Sequence, residues 1–301
     1  MLWFALGLLA VLVLLGVAFA FWTRAETTTP EQAARIDAAA EAFLQRHHAA
    51  IEATRRAVVR IALMPMDGDD PRASKVGGAA WWPAGTAVPR DATDQPLVLL
   101  AQVNLAELPE SGLDLPAQGL LQFLVSGDGS YGIDYDRDES PAALAAARGH
   151  RVAYWPDVDG PAQVIAAGTK QQLPLDATPP LRMHFSASTE TLGPTDARFP
   201  ALFPGGLAQA IAQLHEATGV DEDTLMDALW ERDTAAGHKL GGYPNFTQDD
   251  PRTRPDLELL FQLDSDDGVM WGDAGVGNIF ISDADLARRD FSRVLYSWDC
   301  C

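Results

Sequence analysis

The chain carries Lys75-Val76-Gly77-Gly78 and, much later, Lys239-Leu240-Gly241-Gly242. Behind each copy, three further segments recur in the same order. Leu99-Leu100-Ala101-Gln102-Val103-Asn104 matches Leu259-Leu260-Phe261-Gln262-Leu263-Asp264, and Gly119 to Val125 parallels Gly277 to Ile281. Arg151-Val152-Ala153-Tyr154-Trp155-Pro156-Asp157 matches Arg293-Val294-Leu295-Tyr296-Ser297-Trp298-Asp299. Four matched blocks in one order and at similar spacing mark an internal duplication. The blocks are short, rich in Leu, Val, Ile, Phe and Tyr, and flanked by Gly, Pro and Asp, so they read as strands. Near-continuous apolar runs such as Pro96 to Val103 predict strands covered on both faces. Helical periodicity appears around Ala142 to Arg148, at Leu207, Ile211, Leu214 and His215, and from Asp221 through Leu225, Met226 and Leu229. The fold class expected is α+β, with two pseudo-equivalent sheet-forming halves and peripheral helices. A pseudo-twofold axis relates the halves, with the cleft between them as the expected ligand site.

Working outward, the amino terminus reads as a membrane segment. Leu2 to Trp22 holds no charge or strongly polar side chain, and at about 1.5 Å per residue it reaches about 31 Å, enough for a bilayer core. Trp3 and Trp22 stand at its ends, as interfacial indoles do. A cleaved signal peptide with Ala18-Phe19-Ala20 as its processing site is the alternative, but no Lys or Arg precedes the apolar run. Arg24 and Arg35 lie on the carboxyl side, which places the body in the cytoplasm by the positive-inside tendency. Thr29-Pro30-Glu31-Gln32 then reads as a helix start. Ile36, Ala40, Phe43, Leu44, His47, Ile51, Val58 and Ile61 continue at near-helical spacing, leaving Arg46, Arg55, Arg56 and Arg60 for a membrane surface or for the acidic body. The domain plan is a transmembrane anchor at 1–23, an amphipathic linker helix at 24–64 and one duplicated domain at 65–301. Within it the first repeat covers about 72–185, connecting helices about 186–236, and the second repeat about 237–301.

Composition narrows the partners. Across 301 residues, 22 Lys+Arg face 42 Asp+Glu, for a formal charge of −20. A body this acidic repels phosphate backbones, so no nucleic-acid partner is expected, while a protein with a basic surface suits it. Cys300 and Cys301 are adjacent and terminal, which excludes a disulfide framework.

Among the 22 basic residues only Lys75, Lys170 and Lys239 are lysines, and two of them open the matched Lys-x-Gly-Gly blocks. A compact ammonium beside a Gly pair, whose backbone can expose successive N–H groups, suits an anion or carboxylate site. The candidate ligand set is Lys75, Gly77, Gly78, Gln102, His238, Lys239, Gly241, Gly242, Gln262 and Asp264. The alternative is a tight turn whose Lys pairs with Asp157 or Asp299. Asp264, Asp266, Asp267 and Asp273 are the densest acidic cluster and the weak metal candidates for Ca²⁺ or Mg²⁺, although the calcium-loop spacing fails there. It fails likewise at Asp134, Asp136 and Asp138. No Gly-x-Ser-x-Gly elbow is present. A terminal thiol acts with His238 only if the fold joins them. Trp81, Trp82, Trp271 and Trp298 line a pocket or pack the core.

These residues also carry a family resemblance. Ser74 to Gly78 with Trp81-Trp82-Pro83 resembles the opening of the YwqG-like family of bacterial proteins of unknown function. The likeness strengthens through His238-Lys239-Leu240-Gly241-Gly242-Tyr243-Pro244-Asn245-Phe246-Thr247-Gln248, then Gln262 to Asp267, Met270 to Asp273, and Tyr296 to Cys301. The resemblance implies no reaction, and relatives have been suggested to lie in bacterial toxin and immunity neighbourhoods. The expected function is therefore a non-catalytic ligand- or protein-binding module tethered to the bacterial inner membrane, with its soluble domain in the cytoplasm and no cofactor. The alternatives are a metal-assisted hydrolase using Asp264 to Asp267 with His238, or an immunity-type protein that neutralises a basic toxin.

Overall fold

In the computed structural model, which describes residues 28–135, 138–169, 172–175 and 179–300, the described chain divides into two units. One comprises residues 28–46 with 211–228, the other residues 47–210 with 229–300. The helices are α1 (Pro30–Glu52), α2 (Pro141–Ala146), α3 (Leu207–Thr218), α4 (Glu222–Trp230) and α5 (Asp283–Ala287). The strands of the first part are β1 (Arg56–Pro65), β2 (Lys75–Val76), β3 (Ala80–Pro83), β4 (Val98–Asn104), β5 (Leu120–Val125), β6 (His150–Trp155) and β7 (Ala162–Ile165). Those of the second are β8 (Leu181–Glu190), β9 (Lys239–Gly241), β10 (Leu257–Asp264), β11 (Val276–Ser282) and β12 (Val294–Asp299).

The smaller unit is helical. Thr29 and Gln32 form the predicted reciprocal cap of α1, each side chain accepting the other's backbone N–H. Arg35 donates to the Thr218 carbonyl at the end of α3. Among the described residues no helix is long and apolar enough to cross a membrane, and the anchor predicted at 1–23 lies outside the described residues.

The linker helix predicted at 24–64 is corrected: the helix stops at Glu52, and Arg56–Pro65 is a strand. Thr54 caps the break by donating to the Ile51 carbonyl at 2.6 Å. Beyond it Val58, Val59 and Ile61 are β-branched, and pairing on both edges with β8 and β9 decides in favour of the extended state. Arg55 pairs with Glu52 at the helix end, and Arg56 and Arg60 pair with Glu258 and Glu190 of the acidic body.

Ten strands form one antiparallel sheet in the order β12-β11-β10-β9-β1-β8-β2-β4-β5-β6. The duplication is plain in its register. Lys75 opposes Gln102, which opposes Gln122; Lys239 opposes Gln262, which opposes Asn278. A bulge falls at Leu100 in one half and at Leu260 in the other. Gln122 opposes Ala153 while Asn278 opposes Ser297, so the last two sequence matches need correction. Ala153 is equivalent to Ser297 rather than Leu295, and Gly119 to Gly275. A slip by two residues keeps every side chain on its own face, which is why the apolar pattern alone does not reveal it.

The repeats also begin earlier than about 72 and 237. Each starts with a strand, β1 or β8, that the sequence reading assigned wholly or partly to the linker or to the connecting helices. These strands are exchanged: β1 precedes β2 in the chain but pairs with β9, and β8 precedes β9 but pairs with β2. The two meet along ten paired positions, from Arg56 opposite Glu190 to Pro65 opposite Leu181. The halves therefore share one sheet instead of facing each other across a cleft.

At the far ends β6 and β12 come into contact, so the sheet nearly closes on itself. Val59, Val76, Leu121, Phe123, Leu240, Phe261 and Ile279 fill its inside, with the Phe123 and Phe261 rings stacked 4.4 Å apart. Outside, a two-stranded ribbon of β3 and β7 covers Leu97, Leu99 and Leu124 with Trp82. Phe246 and Leu144 of α2 cover Leu259, Phe280 and Leu295. Cover on both faces explains the unbroken apolar runs, unusual for antiparallel strands.

Candidate functional site

Lys75 and Lys239 are wholly buried. Lys75 Nζ donates to the Asp70 and Ala79 carbonyls at 2.8 and 2.7 Å and to the Asp69 carboxylate. Lys239 Nζ donates to Glu190 Oε1 at 2.9 Å and to the Ala235 carbonyl. In both halves the same carboxylate also accepts the backbone N–H four residues after the lysine, Ala79 on Asp69 and Tyr243 on Glu190. This pairing replaces the expected partners Asp157 and Asp299. Asp299 instead accepts the Thr247 and Gln248 N–H groups.

The glycine pair makes this clasp fit. Gly77, Gly78, Gly241 and Gly242 all have positive φ. A Cβ on Gly78 would stand 2.6 Å from Asp69 Oδ1, and one on Gly242 would stand 2.1 Å from Glu190 Oε1. The second glycine thus admits the carboxylate, and the first receives a leucine, Leu175 against Gly77 and Leu113 against Gly241.

Gln102 and Gln262 are buried struts in the same row. Gln102 Nε2 donates to the Pro71 and Ala73 carbonyls, and Gln262 Nε2 to those of Ala235 and Gly237. These acceptors stand four and two residues before each lysine. The structure brings Lys75 to Gln102 and Lys239 to Gln262, but β1 and β8 lie between the two pairs.

Burial pulls the Lys239 ammonium down to about 8, and the attraction of Glu190 only partly offsets it. Arg60 donates to the other oxygen of Glu190, so one buried carboxylate serves two cations.

His238 and Asp266 meet at 2.8 Å through Nε2 and Oδ2. His238 Nδ1 accepts the Asp264 N–H at 2.9 Å, which puts the proton of the neutral ring on Nε2. Both ring nitrogens are engaged. Burial pushes the Asp266 carboxyl up, but bonds from His238 and the Gly268 and Val269 N–H groups outweigh it and hold it below its ordinary value. Asp264 accepts the Gly237 N–H at 2.6 Å, whereas Asp267 and Asp273 are exposed. Among the described residues no group of three or more His, Cys, Asp or Glu is placed to hold a metal ion. Cys300 packs against Gly272, and among the described residues no hydrogen bond joins it to His238. Asp136, Lys170 and Cys301 lie outside the described residues. Trp81, Trp82 and Trp271 are core residues, and Trp298 is half-buried against Tyr131.

A pocket of about 250 Å³ lies beside the second glycine pair, lined by Gly241, Gly242, Arg56, Glu258, Leu113 and Leu286 among others. Arg56 donates through both terminal nitrogens to Glu258 Oε2 at 2.8 and 2.9 Å and lies 3.6 Å over the Tyr243 ring. Its Nε is buried with no partner, and burial pulls the guanidinium below its ordinary value.

Sequence reasoning missed Asp69, Glu190 and Arg182, and named Arg60 only as an arginine of the linker helix. A signal was present: Val59-Arg60-Ile61 and Leu181-Arg182-Met183 are apolar-Arg-apolar triplets, one ahead of each lysine block. In the sheet Arg60 opposes Lys239 and Arg182 opposes Lys75.

Residues 74–300 match the model of the family described as Domain of unknown function (DUF1963), and the chain belongs to that family. No curated protein matches it.

Proposed function

We propose that this protein is a non-catalytic binding module whose ligand site is the pocket beside Gly241 and Gly242. The observation that carries the reading is the buried, partnerless Nε of Arg56 in a pocket with leucine walls. The charge of Arg56 is already matched by Glu258, so the remaining need is for a neutral acceptor. Asp283 on the same lining disfavours an anion. The ligand class is a small amphipathic molecule with a carbonyl acceptor. Of the set expected from the sequence, Lys239 and Gln262 act behind it by holding the adjoining turn, while Lys75 and Gln102 hold the equivalent turn of the other half. Hexanamide titrated into the full chain, followed at the Arg56 Nε–H resonance, tests this. A saturable shift that hexanoate does not reproduce supports it, and no shift overturns it.

The YwqG-like motifs and the apolar segment Leu2 to Trp22 support a membrane-tethered member of that bacterial family, with its folded part on the cytoplasmic side of the inner membrane. The charge of −20 supports a partner with a basic surface, whose association would weaken as salt rises. A hydrolase using His238 fits less well, because neither ring nitrogen is spare.

A further inference from the structure

The pocket beside Gly241 and Gly242 has a second polar feature besides the unpartnered Nε of Arg56. Its lining carries four charged residues, Arg56, Asp114, Glu258 and Asp283, and three of them are matched. Glu258 Oε2 holds Arg56, and its Oε1 accepts from Arg198 at 2.7 Å. Arg198 then pairs with Asp196, Asp196 with Arg252, and Arg252 with Asp250. The chain alternates in sign from Arg56 to Asp250, so no charge is left over. Asp114 pairs with Arg289 at 2.8 Å.

The groups packed around the lining balance as well. Behind the Gly242 wall, Lys239 and Arg60 face Glu190 and Asp233. At the far end of α5, Arg288 and Arg293 are taken up by Asp285 and Asp290.

Asp283 is the exception. It opens α5, exposed to solvent, one turn before Leu286 of the apolar wall. Among the described residues its carboxylate has no hydrogen-bond or ion-pair partner. Asp285, two residues on, is by contrast buried and engaged by Ser282, Arg288 and Arg293. An acid is favoured at a helix start, but a helix of five residues offers it only a small dipole. The pocket therefore presents an unused hydrogen-bond donor, leucine walls and one uncompensated negative charge. A molecule that meets all three has a neutral acceptor, an alkyl segment and a cation.

We propose, on the reading of this pocket given above, that its ligand is an amino amide: the carbonyl accepts from Arg56 Nε–H, the alkyl chain lies along Leu113 and Leu286, and the ammonium meets Asp283.

The test titrates ω-amino amides of four and six carbons into the full chain, each against its uncharged parent, butanamide or hexanamide. The shift of the Arg56 Nε–H resonance is the readout. At low salt at least one amino amide is expected to bind about fivefold more tightly than its parent, the worth of an exposed ion pair, with the gain fading as salt rises. Asp283→Asn keeps the shape of the side chain and should remove the gain while leaving the affinity for hexanamide unchanged. If Asp283 served only the helix, the variant would move the unfolding midpoint and leave the ratio of affinities intact, which overturns the proposal. Hexanamide binding without a gain for either amino amide overturns it too, and leaves the carbonyl-binding reading standing. No binding by any of the four probes overturns both.

Discussion

The two lysine clasps have one design and different surroundings. Lys75 is held by Asp69, whose side chain is 31 % exposed, in the loop that follows β1. Lys239 is held by Glu190, 1 % exposed, at the end of β8, and Arg60 shares that carboxylate. In each repeat the carboxylate follows or ends the exchanged first strand, so the duplication preserved the contact while the burial diverged. Burial sets the stakes: a charge removed beside water is partly resolvated, whereas one removed inside leaves its partners stranded.

That contrast is open to direct attack. Replacing Glu190→Gln leaves Lys239 and Arg60 without their shared anion and should destabilise the fold by about 3–5 kcal/mol. Asp69→Asn should cost about 1–2 kcal/mol, because water reaches the first clasp. Denaturant unfolding of both variants reads the gap, and equal losses would break the comparison. The glycines come next. Gly242→Ala forces a side chain into positive φ and against Glu190 and should cost about 2–3 kcal/mol. Gly78→Ala meets the more exposed Asp69 and should lose less by the same measurement.

The smallest effect is a pH slope. Lys239 titrates near 8 in the fold against an ordinary 10.5, so between those values the unfolded chain binds more protons. Stability contributed by this group therefore rises as pH climbs from 8 to 10.5 and is flat below 8, where both states hold the proton. Lys239→Met should flatten that part of the stability–pH curve. An unchanged slope would show that the second clasp is not as closed as its burial implies.

Much of the fold was legible because the duplication was. Repeated order and the Lys-x-Gly-Gly spacing located eight of the strands, and the continuous apolar runs announced cover on both faces. The exchanged strands were not legible in the same way. Val58 and Ile61 fit a helical face extended from Phe43 as well as they fit a strand, and local propensity does not separate the two. Only the edges offered by β8 and β9 do so.

The candidate site divides along the same line. Sequence singled out the lysines, the glycines and Gln102 and Gln262, and each lysine proved to lie opposite its glutamine on the adjoining strand of the same half. It did not identify Asp69 or Glu190, nor the unpartnered nitrogens of Arg56 and His150. By itself the sequence determined the repeat, the acidic charge and which turns needed glycine, because these depend on residue type and spacing. Tertiary structure alone decided which carboxylate meets which lysine, which strand crosses to the other half and which polar atoms are left without partners. The strand crossing and the partnerless atoms depend on contacts between residues more than a hundred positions apart, such as Arg56 with Glu258 and His150 with Val294, and even the Lys239–Glu190 contact spans 49 positions, beyond the reach of a local pattern.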